Sequence, residues 1–138
     1  MRKGILLDTG PLVAFLNRRD KFHVWAVSQW DQIAPPMLTC EAVISEACFL
    51  LSGTGGGIDS VMQLIKRKII AISFRLDEHI QPVGKLLAKY RSVPMSLADA
   101  CLVRMSEVNP DSQVFTLDSD FSLYRKTGRR IILTIMPQ

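Results

Sequence analysis

Histidine and cysteine are scarce in this chain of 138 residues, with two of the first and three of the second. His23 and His79 stand far apart, and no close-spaced Cys/His pattern exists that would hold zinc. Cys40, Cys48 and Cys101 are odd in number and fall in apolar, helix-patterned stretches, which suits reduced core thiols. No window approaches the roughly 18 uninterrupted apolar residues of a membrane span. Met1-Arg2-Lys3 ahead of an apolar run imitates a signal peptide. Asp8 interrupts that run, however, and Asn17-Arg18-Arg19-Asp20 stands where a small-residue cleavage site would be. Internal repeats, low-complexity runs and linkers are also lacking. The expectation is a cytoplasmic protein forming a single domain over residues 1–138.

What is present fits a globular fold. An apolar fraction of 48% and a mean hydropathy of +0.18 argue for a packed core and against disorder. The net charge of +4, with pI near 9.2, favours a polyanionic partner without requiring one.

The chain opens on Ile5-Leu6-Leu7-Asp8-Thr9-Gly10-Pro11. This reads as a short buried strand with a carboxylate at its C-terminal end, then a turn into a helix. Gly10 tolerates tight turn geometry and Pro11 suits a first helical turn. A short helix is expected over Leu12 to Leu16, and a second carries Phe22, Val24, Trp25, Val27 and Trp30 up to Pro35-Pro36. Thr39 reads as the N-cap of a third that runs through Leu51. Gly53-Thr54-Gly55-Gly56-Gly57 is a flexible connection and no phosphate loop, because no Lys-Ser/Thr follows and no strand precedes it. Asp59 to Lys68 reads as helix, Ile69 to Phe74 as strand, and Leu76 to Tyr90 as helix that Pro82 either bends or marks as starting late. Ser96 opens a helix through Val108. Gln113 to Leu117 is a strand ending at Asp118, Phe121 to Arg125 a short helix, and Arg130 to Met136 a final strand. Strands alternating with helices imply an α/β three-layer sandwich, its central, mostly parallel sheet of four or five strands flanked by helices on both faces.

Chemistry concentrates in the acids. In open α/β sheets, sites form outside the carboxyl ends of the strands. Asp8 and Asp118 both stand there, although each could equally cap the structure that follows. Glu46 falls between Val43 and Leu50 on one side and Ala42 and Phe49 on the other at about 100° per residue. A carboxylate so surrounded is costly to bury unless it is paired or binds a cation. Glu41 instead falls with Ser45 and Ser52 on the wet face and is the main competitor for that role. Ser96-x-x-Asp99 is a capping-box pattern that a structural role fully explains. Helices of a parallel layer run against the strands, though, so Asp99 arrives beside Asp8 and Asp118. Clustered carboxylates repel one another unless a cation neutralises them. Hard oxygen ligands suit Mg²⁺ or Mn²⁺, ions that orient a phosphodiester and assist its hydrolysis.

Four pieces, in this order and spacing, resemble the PIN-domain nucleases: Leu6-Leu7-Asp8-Thr9-Gly10-Pro11-Leu12, Ile44-Ser45-Glu46-Ala47, Ser96-Leu97-Ala98-Asp99-Ala100 and Phe115-Thr116-Leu117-Asp118-Ser119-Asp120-Phe121. Length and layout look like the VapC-type toxins of toxin–antitoxin pairs. The resemblance implies a PIN-like fold and a Mg²⁺- or Mn²⁺-dependent endoribonuclease that cuts RNA, often tRNA or rRNA. It further implies a homodimer silenced by a small antitoxin protein, or else an RNA-processing enzyme with no antitoxin. Carried over by position, Asp8, Glu46, Asp99 and Asp118 form the acidic catalytic and metal site. Asp120 is a further metal-facing or supporting acid, and Thr116 holds a water or orients a carboxylate.

The basic groups Arg18-Arg19 with Lys21, Lys66-Arg67-Lys68, and Arg125-Lys126 with Arg129-Arg130 are placed in loops or helix ends where phosphate contacts are plausible, and equally where they would only solubilise a surface. Trp25 and Trp30 have helix spacing that favours core or dimer contacts over base stacking. Asp8-Thr9-Gly10 is also the active triplet of aspartic proteases, but those are almost wholly β, against the helical periodicity here. A non-catalytic binding module of the PIN fold is the remaining alternative.

Overall fold

The computed structural model describes all residues, Met1–Gln138. β1 (Ile5–Leu7) leads into α1 (Thr9–Leu16) and α2 (His23–Trp30), then β2 (Met37–Thr39), α3 (Glu41–Leu50), α4 (Gly57–Lys66) and β3 (Ile70–Ile72). A 3₁₀ turn at Leu76–His79 precedes α5 (Ile80–Lys89), followed by α6 (Leu97–Val108) and β4 (Gln113–Phe115). A second 3₁₀ turn, Ser119–Ser122, leads to β5 (Arg125–Lys126), β6 (Arg130–Ile131) and β7 (Thr134–Ile135). Five strands form one parallel sheet in the order β3-β2-β1-β4-β7, while β5 and β6 pair as a separate antiparallel ribbon.

That order places a switch point between β1 and β4. The chain steps outward one way through β2 and β3, then returns to the other side of β1. Crevices for ligands form at the carboxyl ends of strands at such a point. The register is Ile5 with Gln113, Leu6 with Val114 and Leu7 with Phe115. Asp8 continues it, its N–H donating to the Phe115 carbonyl at 3.0 Å.

Alternating strand residues feed two cores, one on each face of the sheet. Leu6 and Val114 pack with Val83, Leu102, Phe121 and Tyr124 against α5 and α6. Ile5, Leu7 and Phe115 pack with Leu12, Met37 and Val61 on the opposite face. Burying each such side chain stabilises the fold by about 1.5–3 kcal/mol, and the three residues of β1 are fully buried. Trp30 stacks on Phe15 at 3.9 Å, and both Trp25 and Trp30 meet the Phe115 ring edge-on. The two tryptophans serve the core. α3 divides its side chains, sending Val43 to one core and Ile44 and Ala47 to the other. It thus rides over the carboxyl edge of the sheet.

Several local expectations need correction. Thr39 is no N-cap: it ends β2, fully buried, and its Oγ1 donates to the Leu7 carbonyl at 2.7 Å. Three residues after Pro35-Pro36 were too short a run to show strand periodicity. Cys40 holds the cap position without a side-chain cap bond, and all three cysteines are free thiols. α1 starts earlier than Leu12, because Asp8 Oδ1 accepts from Thr9 N–H and caps it. Pro82 lies in the first turn of α5, so the helix starts late and does not bend. The final strand is broken: β6 folds back on β5, and only Thr134–Ile135 joins the main sheet. The short helix near Phe121 is a single 3₁₀ turn. Gly10 is needed for proximity, since a Cβ there would stand 3.1 Å from Leu117 Cβ, so glycine lets α1 close on the exit of β4.

Candidate active site

Asp8 is 6% exposed and both of its oxygens are engaged. Oδ1 accepts from Thr9 N–H at 2.8 Å, and Oδ2 accepts from the fully buried Thr116 hydroxyl at 2.6 Å. Thr116 Oγ1 in turn accepts from Asp118 N–H at 2.9 Å. One hydroxyl thereby ties the acid after β1 to the acid after β4. Asp118 Oδ1 accepts from Asp120 N–H at 2.9 Å, which closes the turn and leaves Oδ2 without a protein donor.

Asp99 arrives on the first turn of α6, where the capping box forms as expected. Ser96 Oγ accepts from Asp99 N–H at 3.0 Å, and Asp99 Oδ2 accepts from Ser96 N–H at 3.3 Å. Tyr124, fully buried, donates its hydroxyl to the same Oδ2 at 3.0 Å. Both donors converge on one oxygen, so Oδ1 is left free.

Asp8, Glu46, Asp99 and Asp118 line one cleft of about 390 Å³, together with Thr9 and Ser96. No lysine or arginine lines it. Burial pushes the Asp8 carboxyl up from 3.8 to about 6, and the charges of Asp99 and Asp118 push the same way against the hydrogen bonds from Thr116 and Thr9. Burial first, then the Asp118 charge, also raises Asp99, while the Ser96 and Tyr124 donors oppose the rise. Burial, followed by the Asp99 charge, pushes the Tyr124 phenol up, so it stays a donor. Four acids in one cleft without a cation from the protein are an arrangement short of positive charge.

Glu46 reaches the cleft for a different reason from the one its periodicity suggested. It is exposed, and so are Phe49 at 78% and Leu50 at 53%. Because α3 rides over the sheet edge, only its Val43, Ile44 and Ala47 are buried, with Ala42 and Cys48 packing partly against the two cores. Glu46 stands at the wet mouth of the cleft, with no apolar ring around it. Glu41, its competitor, faces a separate cavity with Arg75 and Asp77. Asp120 is half-buried in the 3₁₀ turn and does not line the cleft. The basic groups stand elsewhere too. Arg18 and Arg19 lie at the far end of α1 from Asp8, beside Gly53–Gly55, and Lys126 is buried with Nζ on the Pro110 carbonyl.

The expected five-acid metal site is not preformed: no three acidic, histidine or cysteine side chains close on a common point. Hydrogen bonds from Thr9, Thr116, Ser96 and Tyr124 anchor Asp8 and Asp99 where they stand. The donor set still fits a hard cation. Mg²⁺ keeps several waters and needs only one or two direct carboxylates, and Asp99 Oδ1 and Asp118 Oδ2 have no protein donor. Thr9 Oγ1, buried in the same cleft without a protein partner, is a further oxygen for a bound water. Sequence patterns did not point to Thr9 or Tyr124. Tyr124 carries no local signal, because its partner lies 25 residues away.

The chain belongs to the PIN domain family, whose sequence pattern matches residues 5–126 and takes in every acid of the cleft. Among solved structures it is similar to that of Mycobacterium tuberculosis VapC20, a Sarcin-Ricin loop cleaving toxin. The TM-score is 0.76 at 20% identity, over 86% of this chain and 93% of that one, a likeness of fold. No curated protein sequence matches it. No helix is long and apolar enough to cross a membrane.

Proposed function

We propose that residues 1–138 form one nuclease domain that hydrolyses RNA phosphodiester bonds with Mg²⁺ or Mn²⁺, acting as the toxin of a toxin–antitoxin pair. The observation that carries this reading is the meeting of Asp8, Glu46, Asp99 and Asp118 in a single cleft with no basic side chain. A phosphate approaching such a cleft is repelled unless a divalent cation is held there. Asp8, Asp99 and Asp118 would hold it, with Asp120 supporting Asp118 from the turn behind. When bound, the ion neutralises the phosphate, lowers the pKa of a water and stabilises the departing oxygen.

The chain's own groups do the positioning. Thr116 and Thr9 hold Asp8 in its buried seat, and Thr116 couples it to the Asp118 backbone. Ser96 and Tyr124 occupy Asp99 Oδ2 and turn Oδ1 to the cleft. Glu46, at the solvent-facing mouth, is placed to orient the attacking water. A tRNA or rRNA substrate, a homodimer and a small antitoxin partner belong to the same proposal, supported by family membership and by the fold shared with VapC20.

Purified protein incubated with total tRNA and rRNA is expected to give discrete fragments with Mg²⁺ or Mn²⁺ and none with EDTA. Glu46→Gln should slow cleavage by at least about tenfold. RNA binding without cleavage under either metal is the result of a non-catalytic module and would overturn the proposal.

A further inference from the structure

We infer that the cavity beside the acid cleft takes an unpaired nucleobase of the RNA and that Glu41 reads its edge. This rests on the nuclease reading above and names the part of the substrate its neighbourhood recognises. The cavity encloses about 670 Å³, within the roughly 300–1,000 Å³ usual for small-ligand sites. It opens where Cys40 and Phe74 follow β2 and β3, on the same carboxyl edge of the sheet as Asp8.

Two elements form the wall between cavity and cleft. On α3, Glu41 and Ser45 sit one helical turn apart and line the cavity, while Glu46 lines the cleft. At the start of α6, Leu97 lines the cavity, while Ser96 and Asp99 line the cleft. An RNA strand passing Glu46 therefore has the cavity directly alongside it.

The lining selects a base over the sugar–phosphate backbone. Phe74, buried and stacked on His79 at 4.7 Å, backs the cavity from within the core, and the exposed Leu97 completes an apolar wall against which a flat base can lie. The rim charges are Glu41, Asp77 and Arg75. Arg75 pairs at the exposed rim with Asp77 at 3.0 Å and with Glu78 at 3.7 Å, whereas Glu41 has no cation within ion-pair distance and feels Arg75 only at longer range. With two acids against one arginine, the rim carries a net negative charge. It repels a phosphate and accepts the N–H donors of a neutral base.

Guanine matches a carboxylate best, because N1–H and the N2 amino group stand side by side and meet both oxygens. Adenine and cytosine each offer an amino group. Uracil flanks one N–H with two carbonyls, whose lone pairs face the carboxylate, so it fits worst.

The test is cleavage of a random-sequence RNA oligonucleotide pool with Mg²⁺, followed by sequencing of the new ends. Wild type should favour guanine over uracil at one position flanking the cut by at least about fivefold. Glu41→Gln should bring that position towards parity, and Ser45→Trp, which fills the cavity from an exposed helix position, should flatten all four bases there. Base frequencies that are flat in wild type, or unchanged in both variants, would overturn the inference while leaving the nuclease reading intact. Absence of Mg²⁺-dependent ends from wild type would overturn that reading and this inference with it. The Mg²⁺-induced rise in melting temperature should be the same in Glu41→Gln as in wild type. Its loss would make Glu41 a ligand of the ion and overturn the base-reading role.

Discussion

Asp8→Asn is expected to raise the melting temperature of the metal-free protein at pH 7 and to abolish the proposed metal-dependent cleavage of RNA. The first effect comes from the burial of one carboxylate, the second from the loss of a proposed ligand of the cation. The Asp8 carboxyl is pushed up from 3.8 to about 6, chiefly by burial, with Asp99 and Asp118 adding repulsion. Between those two values the folded chain holds a proton that the unfolded chain has released. Stability therefore falls as pH rises from about 4 to about 6, and the deficit persists above that. Its size at neutral pH is on the order of 3 kcal/mol. Asparagine has no charge to desolvate and keeps the cap on Thr9 N–H. Its amide NH₂, however, would face the Thr116 hydroxyl, which returns part of the gain. A net stabilisation of about 1–2 kcal/mol corresponds to about 3–8 °C. Melting curves in EDTA should show the gap between variant and wild type opening as pH rises from about 4 to about 6 and staying open above that. Cleavage should fall at least about a hundredfold. A variant no more stable than wild type at pH 7 would contradict the account of Asp8 as a buried charge awaiting a cation.

Thr116→Val should be strongly damaging, both to stability and to the site. The substitution nearly preserves shape at a fully buried position but deletes a hydroxyl with two jobs. Asp8 Oδ2 loses its 2.6 Å donor, and Asp118 N–H loses its acceptor. Leaving such groups unpaired costs about 1–3 kcal/mol each. The lost donor had favoured the ionised form, so the Asp8 carboxyl moves still further above 6. The destabilisation is accordingly largest above pH 6, where wild-type Asp8 is ionised, and smaller in acid. At limiting Mg²⁺, the pH at which cleavage reaches half its maximum should move upward and activity at pH 7 should fall. Thr116→Ser keeps the hydroxyl and should restore the wild-type profile. An unshifted pH–rate profile for Thr116→Val would show that the Thr116 hydroxyl does not govern Asp8.

The positions of Asp8 and Asp118 were legible because each ends an apolar run and precedes a turn, a pattern local enough to read along the chain. Asp99 was legible in two parts: its capping box is a sequence motif, and its place beside Asp8 follows from helices running against strands. Glu46 reached the cleft for a reason periodicity could not supply. Its neighbours Phe49 and Leu50 are exposed, and only the ride of α3 over the sheet edge, a tertiary fact, brings Glu46 to the mouth. The parallel sheet was legible from the alternation of elements. β2 was not, since Met37–Thr39 is too short to show a period and its identity is set by pairing with β1 and β3. The break between β6 and β7 was hidden in a largely apolar, β-branched run, Ile131 to Ile135, which reads as one strand. Tyr124 and Asp99 meet only in three dimensions, and no spacing rule would have paired them.

What most directly tests the arrangement proposed for these acids is a crystal structure grown with Mn²⁺ and measured at a wavelength where manganese scatters anomalously. The account predicts an anomalous peak in the cleft, within coordination or single-water reach of Asp8, Asp99 Oδ1 and Asp118 Oδ2. An empty cleft at saturating Mn²⁺, or a peak beside Glu41 and Asp77 instead, would contradict it.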